Sequence, residues 1–137
     1  MKTYSRRLLL LSSKIVVMDL NNPVIRLCIA GTRAEFEGRK DDACERYRQA
    51  WDAATDDYEA CIAAHYMARC QESPEEILRW NQEALERANA VNDGSTQDFY
   101  PSLYLNLGHS HELLGNQGEA KRYFDLAAAL GAAHQLD

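Results

Sequence analysis

Two separate stretches of the sequence carry the same pattern of small and aromatic residues. In each stretch, a glycine is followed at the same intervals by an alanine, an aromatic residue and a second alanine: Gly31, Ala43, Tyr47 and Ala50, then Gly108, Ala120, Phe124 and Ala127. Small residues let two helices approach closely, and an aromatic ring fills the space that remains between them. The pattern therefore predicts pairs of helices packed against each other.

The interval between the two stretches leaves room for one more helix pair and a short insertion. A middle pair that begins at Tyr58 places His65 where the outer pairs have glycine and Asn81 where they have an aromatic residue, with Trp80 one position earlier. Residues 92–100 remain as a loop. The middle pair therefore departs from the pattern, and we expect either a wider helix pair or a one-residue shift that turns Trp80 inward.

The Leu-Gly pair at residues 107–108, followed by the alanine, aromatic and alanine positions, resembles a tetratricopeptide (TPR) repeat. The resemblance implies an all-α fold of antiparallel helix pairs stacked as a short right-handed solenoid. It divides the chain into repeats at 24–57, 58–91 and 101–134, the middle one divergent. The helices are predicted at 24–37, 41–54, 58–71, 74–91, 101–114 and 117–130.

Signals at helix ends agree with this division. Ser73, Pro74 and Glu76 predict a capping box at the start of the fourth helix, and Asn116 with Glu119 predicts a similar one for the sixth. Gly38 and Gly115 lie where the two helices of an outer pair join, and a glycine there can adopt the left-handed conformation that ends a helix.

The N-terminal segment 1–17 stands apart from the repeats. Basic residues precede a short apolar run, but Lys14 interrupts it and no small-residue cleavage site follows, so an export signal is the less favoured interpretation. The segment is too short and too often interrupted to span a bilayer, which takes about 20 apolar residues. We expect a loosely ordered tail or an extra helix, preceding a single TPR domain at 18–137.

Charge and cysteine usage narrow the class of protein. The formal net charge is −6 and acidic and basic residues alternate, so no basic stripe suited to nucleic acid is present. The four cysteines form no CxxC pair and each lies within a predicted helix. This favours reduced, partly buried thiols in a cytoplasmic protein over a disulfide framework. We expect no nucleic-acid partner and no membrane association.

The sequence has no motif that predicts catalysis. It contains no phosphate-binding glycine loop, HExxH or GxSxG pattern. Cys61 and His65 share a helix face, but Cys70 lies more than two turns further along the chain, so helix packing is favoured over a zinc site. His109 and His111 point away from each other on a helix; by repeat position His109 faces the groove and His111 the partner helix. We predict a non-enzyme without metal or cofactor.

The resemblance implies a concave groove lined by the first helix of each pair, in which family members hold a peptide. Transferring the family's groove positions gives a set from all three repeats: Ile25, Cys28, Thr32, Glu35, Glu59, Ile62, Tyr66, Arg69, Ser102, Leu105, His109 and Glu112. Cys28 and Thr32 replace the lysine and asparagine of the carboxylate clamp that some members use, which disfavours a receptor for peptide C-termini. The expected ligand is an apolar segment with one or two basic side chains near the carboxylates. A solvated groove without a ligand is the alternative.

The last helix lacks a successor to cover its outer side. A repeat protein needs a polar outer face or a capping helix at each end, but here the exposed side carries Leu126, Ala129, Leu130 and Ala133. These residues predict a homodimer, with a monomer as the alternative. The expected function is a protein-protein interaction module, or adaptor. The alternatives are a self-assembling structural homodimer and a regulator that binds a signalling peptide or small ligand.

Overall fold

The computed structural model describes the backbone of residues 6–11 and 14–131 and the side chains of residues 19–131. The described residues form six α-helices: α1 (Pro23–Phe36), α2 (Lys40–Ala53), α3 (Asp57–Met67), α4 (Pro74–Ala90), α5 (Tyr100–Leu113) and α6 (Gln117–Ala129). Short 3₁₀ turns at Ala68–Cys70 and Gln97–Phe99 follow α3 and precede α5. The helical prediction is confirmed, with helix ends that differ from it by a few positions at most.

The helices pack in consecutive pairs, α1 with α2, α3 with α4 and α5 with α6. Adjacent pairs meet through α2 and α3 and through α4 and α5, and α1 also packs on α3. The core is built of apolar residues from the first five helices and the loop before α5, with Tyr47, Ile62 and Phe99 among its largest buried side chains. None of the described helices combines the length and apolar character needed to cross a membrane.

The N-terminal segment differs from the expectation of a tail or a helix. Strands β1 (Arg6–Leu11) and β2 (Lys14–Asp19) form an antiparallel hairpin in which Arg6 lies opposite Asp19 and Leu11 opposite Lys14. The apolar and β-branched residues of the two strands suit extended backbone. β2 also contacts the 3₁₀ turn before α5. The all-α class therefore applies to the helical body from Pro23 onward.

Close approach of backbone and ring explains the pattern of the outer pairs. A Cβ added at Gly31 would overlap the ring of Tyr47, and one added at Gly108 would overlap the ring of Phe124. The Tyr47 ring also contacts the next helix pair, where it stacks on the Tyr66 ring with centroids 5.1 Å apart. Each of these glycines thus provides the space that an aromatic residue of the following helix occupies.

The helix ends confirm most of the expected signals and correct one. The Ser73 hydroxyl accepts a hydrogen bond from the Glu76 amide at 3.1 Å, and Gly38 and Gly115 both have positive φ. The predicted cap at Asn116 is wrong, since its side chain makes no capping bond to α6. Its amide Nδ2 lies 3.2 Å from Nδ1 of His111 instead. The Asn116 side chain thus contacts His111 of the preceding helix rather than the free backbone amides at the start of α6.

The cysteine prediction is also wrong for one pair. Cys44 of α2 and Cys70 at the end of the 3₁₀ turn after α3 form a disulfide, with Cα atoms 5.6 Å apart. Cys28 and Cys61 are free and buried as expected, and burial raises the pKa of each thiol to about 12. The packing of α2 against α3 brings Cys44 and Cys70 together, which their spacing in the sequence does not reveal. Cysteine usage therefore no longer supports a cytoplasmic location.

Candidate functional site

A groove of about 430 Å³ runs beside the middle helix pair. Its walls come from all three pairs: Thr32 and Phe36 of α1; His65, Tyr66, Ala68 and Arg69 of α3 and its 3₁₀ turn; Ile77 and Asn81 of α4; Asn106, His109, Ser110 and Leu113 of α5. This volume lies within the range of pockets that bind small molecules or side chains, about 300 to 1,000 Å³.

The groove lies where the repeat pattern fails. In the outer pairs an aromatic ring of the second helix covers a glycine of the first. At the corresponding positions of the middle pair, His65 and Asn81 both line the groove. Both side chains are buried, His65 at 7% exposed and Asn81 at 6%, so an imidazole and an amide together occupy the place that the glycine and the ring share in the outer pairs. Trp80 does not replace the ring, because it packs edge-on against Trp51 of α2, with ring centroids 4.9 Å apart.

Polar contacts connect the middle pair to α5 along the groove. The Asn81 amide donates to the Ser110 hydroxyl at 2.8 Å, and that hydroxyl donates to the backbone carbonyl of Asn106 at 2.7 Å. The side-chain amide of Asn106 lies 3.2 Å from Nδ1 of His65. Burial, with a smaller contribution from Arg69, lowers the pKa of His65 to about 4, so its imidazole is neutral at pH 7.

An ion pair closes one side of the groove. The guanidinium of Arg69 donates two hydrogen bonds to the Glu35 carboxylate, at 2.8 and 3.1 Å, and the Tyr47 hydroxyl donates a third at 2.6 Å. Burial alone would raise the pKa of Glu35, but the bonds from Arg69 and Tyr47 outweigh it and lower the pKa. Glu35 is therefore ionised, and the Arg69 guanidinium of the same chain compensates its negative charge.

Tyr66 has a buried hydroxyl for which the described residues provide no hydrogen-bond partner of good geometry. Burial, followed by the nearby thiol of Cys28, raises the pKa of Tyr66, although the hydroxyl of Thr32 opposes part of the rise. A phenol in this environment keeps its proton at neutral pH. It adds to the uncharged character of the groove wall.

The structure brings together only some of the predicted groove residues. Thr32, Tyr66, Arg69 and His109 line the groove, and Glu35 pairs with Arg69 beside it. Five of the others are buried in the body of the protein: Ile25, Cys28, Ile62, Ser102 and Leu105. They do not face the groove because neighbouring helices cover them. Four of the twelve transferred positions thus line this groove.

Each of the two remaining predicted residues contacts other groups of the chain. Glu59 accepts hydrogen bonds from the backbone amide of Thr55 at 2.9 Å and from the side chain of Asn22 at 2.8 Å, outside the groove. Glu112 lies on α5 with its carboxylate 3.4 Å from Nδ1 of His109. His111 stacks on Tyr123 of α6, with ring centroids 5.7 Å apart, and His109 packs edge-on against Phe124 of the same helix, with ring centroids 5.1 Å apart, so both histidines contact the partner helix.

The other lining residues were not predicted: Phe36, His65, Ala68, Ile77, Asn81, Asn106, Ser110 and Leu113. The sequence did contain a signal for two of them, because His65 and Asn81 interrupt the pattern at the positions that fill space in the outer pairs. Cys70, which was considered as a zinc ligand with Cys61 and His65, is bonded to Cys44. Among residues 19–131, no three His, Cys, Asp or Glu side chains are grouped so that they could hold a metal ion.

The predicted self-association residues lie on α6 and at its end. Leu126 and Leu130 are 36% and 54% exposed, and Ala129 is also exposed. Ala133 lies outside the described residues. The exposed apolar strip is therefore present as far as the description extends, and the homodimer stays a prediction.

Comparisons of the chain with protein-family models, with curated proteins and with solved structures return no match.

Proposed function

We propose that this protein is a TPR-like interaction module that holds a segment of a partner protein in the groove beside its middle helix pair. The observation that carries the proposal is the replacement of the glycine and aromatic positions by His65 and Asn81, where the groove lies. Departures from an otherwise consistent local pattern are expected at functional sites. The outer pairs keep the pattern and hold the groove in shape.

The chemistry of the lining favours binding over catalysis. The lining residues offer hydroxyl, amide and imidazole groups, together with apolar side chains and one guanidinium. Such a set can hydrogen-bond a peptide backbone and enclose a side chain. Its lining residues include no carboxylate and no thiol, and the Ser110 hydroxyl is bonded to Asn81 and to the backbone carbonyl of Asn106. A non-catalytic adaptor is the function that this arrangement supports.

The test restores the repeat pattern and asks whether binding is lost. Peptides would be selected on the full chain from a displayed random library, and their affinity measured by isothermal titration calorimetry. In the double variant His65→Gly with Asn81→Phe, a ring should cover the new glycine as in the outer pairs and remove the polar groups of both residues from the groove wall. We expect helicity to be kept and peptide binding to be lost.

A second variant keeps the test decisive if the double variant does not fold. Ile77→Arg introduces a long charged side chain into the groove from a partly exposed position on α4, and Gln82→Arg introduces the same group on the exposed surface of that helix. Binding should be lost with the first and kept with the second. Equal affinity of the two variants, or a library without any binder, would refute the proposal.

The exposed strip on α6 supports a second candidate, the self-assembling homodimer. Leu126, Ala129 and Leu130 form an apolar surface that a two-fold contact between two copies would cover. Light scattering of the full chain should then give twice the monomer mass, and Leu130→Glu should return it to the monomer mass. A monomer at every concentration tested would reject this candidate without affecting the first.

A further inference from the structure

Two of the most exposed large apolar side chains in the described part of the chain lie at the same groove. Phe36 at the end of α1 is 92% exposed, and Leu113 at the end of α5 is 61% exposed. Phe36 follows Gly31 at the same interval as Leu113 follows Gly108, so they occupy equivalent positions in the two outer helix pairs. Single exposed apolar residues are ordinary on a protein surface, but two that line one concave site indicate a surface which a partner covers.

The guanidinium at the groove is already paired with a carboxylate of the same chain. Arg69 forms its two-bond ion pair with Glu35, and His109 lies beside Glu112. A charged ligand would have to compete with these pairs, and like-charge contacts at an interface are unfavourable. The expectation of a basic ligand side chain at Glu35 therefore loses its support.

The interior of the groove offers hydrogen bonds without net charge. Side-chain amides of Asn81 and Asn106 and the hydroxyl of Ser110 lie along it, and His65 is neutral at pH 7. An amide side chain carries both donors and acceptors, which matches the alternating N–H and C=O groups of a peptide backbone. The polar interior thus suits a main chain, while the apolar residues at the helix ends suit side chains.

We infer that the groove takes an uncharged peptide segment whose apolar side chains pack on Phe36 and Leu113 while its backbone lies along the side-chain amides of Asn81 and Asn106. The inference rests on the proposed function and specifies its ligand. The burial of apolar area supplies the affinity, and the uncharged polar groups fix the direction and register of the segment.

The test uses three pools of fluorescein-labelled synthetic peptides of one length. Each pool has a central leucine or phenylalanine among serine, asparagine and alanine; the second pool adds two lysines and the third two glutamates. Fluorescence anisotropy would be measured with the full chain at low and high salt. We expect the uncharged pool to bind most tightly, with an affinity that stays constant as salt rises from about 50 mM to about 500 mM.

Variants at the two exposed residues identify the contact. Phe36→Ala and Leu113→Ala should each weaken binding of the uncharged pool by about fivefold or more, the loss that follows when an apolar anchor is truncated. Both side chains are mostly exposed, so these variants should fold normally. Gln82→Ala is the control, because it truncates an exposed side chain of α4 outside the groove lining and should leave the affinity unchanged.

The outcomes separate this inference from the function on which it rests. Preference for a charged pool with strong salt dependence, or unchanged affinity of both alanine variants, would overturn the inference while groove-dependent binding of library peptides kept the function. Concentration-dependent self-association that the Phe36 variant abolishes would show a second copy in the groove and would also overturn it. A library without binders would remove both.

Discussion

The outer helix pairs and the middle pair use different residues at the contact between their two helices. In the outer pairs an aromatic ring of the second helix covers a glycine of the first, and no room remains. In the middle pair His65 and Asn81 stand at these positions, and a groove of about 430 Å³ lies beside them. The comparison shows that the outer pairs are closely packed at these positions, while the corresponding residues of the middle pair line a groove.

The connections between the pairs differ as well. The first and second pairs are joined covalently by the Cys44–Cys70 disulfide, with the Arg69–Glu35 ion pair beside it. On the groove side, the second and third pairs are joined by hydrogen bonds among neutral groups, such as that from Asn81 to Ser110. One connection is thus constrained by a bond and an ion pair, and the other by contacts that a ligand could rearrange.

The largest expected effect is loss of the covalent connection. Cys44→Ser should lower the free energy of unfolding by about 3.5 kcal/mol, the chain-entropy value for a loop of this length. Urea unfolding followed by circular dichroism would measure it. Cys28→Ala, at a buried free thiol, is the control for a cysteine that is not bonded.

Thiol counting gives an independent check on the disulfide. Alkylation of the denatured protein without reductant should modify Cys28 and Cys61 only, and reduction should expose Cys44 and Cys70 as well. Mass spectrometry distinguishes the two results. Alkylation of all four cysteines without reductant would contradict the covalent connection.

Lowering the pH should reduce the stability of the protein through protonation of His65 in the middle pair. Its pKa is about 4 in the folded protein, below its ordinary value of 6.5, because burial opposes the charged form. The unfolded chain then binds the proton first, so stability is complete above pH 6.5 and falls as the pH drops toward 4. The loss should approach about 3 kcal/mol over that range.

Urea unfolding at a series of pH values would measure this dependence. His65→Gln should flatten it, whereas His109→Gln, at the other histidine that lines the groove, should retain it. A variant without His65 that keeps the full slope between pH 4 and 6.5 would show that another group is responsible.

The glycines of the outer pairs should not tolerate a side chain. Gly31→Ala and Gly108→Ala place a methyl group against the rings of Tyr47 and Phe124, which should cost about 1 to 3 kcal/mol each. Gly118→Ala is the matched control, because its added Cβ has nothing within 4 Å. It should be neutral or stabilising by up to about 1 kcal/mol, as alanine favours the helix. Wild-type stability of both outer variants in urea would contradict the comparison.

The smallest effect tests whether the middle pair can be converted to the outer type. Asn81→Phe alone should be overpacked against His65, and His65→Gly alone should leave a gap. The double variant should lose less free energy of unfolding than the sum of the losses in the two single variants, with a coupling energy of about 1 kcal/mol. A double-mutant cycle from thermal unfolding would measure it, and strict additivity would mean that the two positions do not face each other.

The repeat pattern predicted the helices because small and aromatic residues must recur where helices meet. Gly31 with Tyr47, Gly108 with Phe124, and the turn glycines Gly38 and Gly115 lie as expected. The hairpin was missed because short apolar runs suit a strand as well as a helix. A third of the groove lining was predicted, since the packing of neighbouring helices decides which residues of a helix line a groove.

The sequence by itself determined the six helices, the close contacts of the outer pairs and the position where the pattern fails. These features depend on residue type and local spacing, which can be read from a stretch of sequence without knowledge of the fold. Only the tertiary structure decided that Cys44 meets Cys70, that Arg69 neutralises Glu35, and that Phe36 and Leu113 line one groove. Each of these facts joins residues from different helix pairs, and their distance is fixed by how the pairs pack.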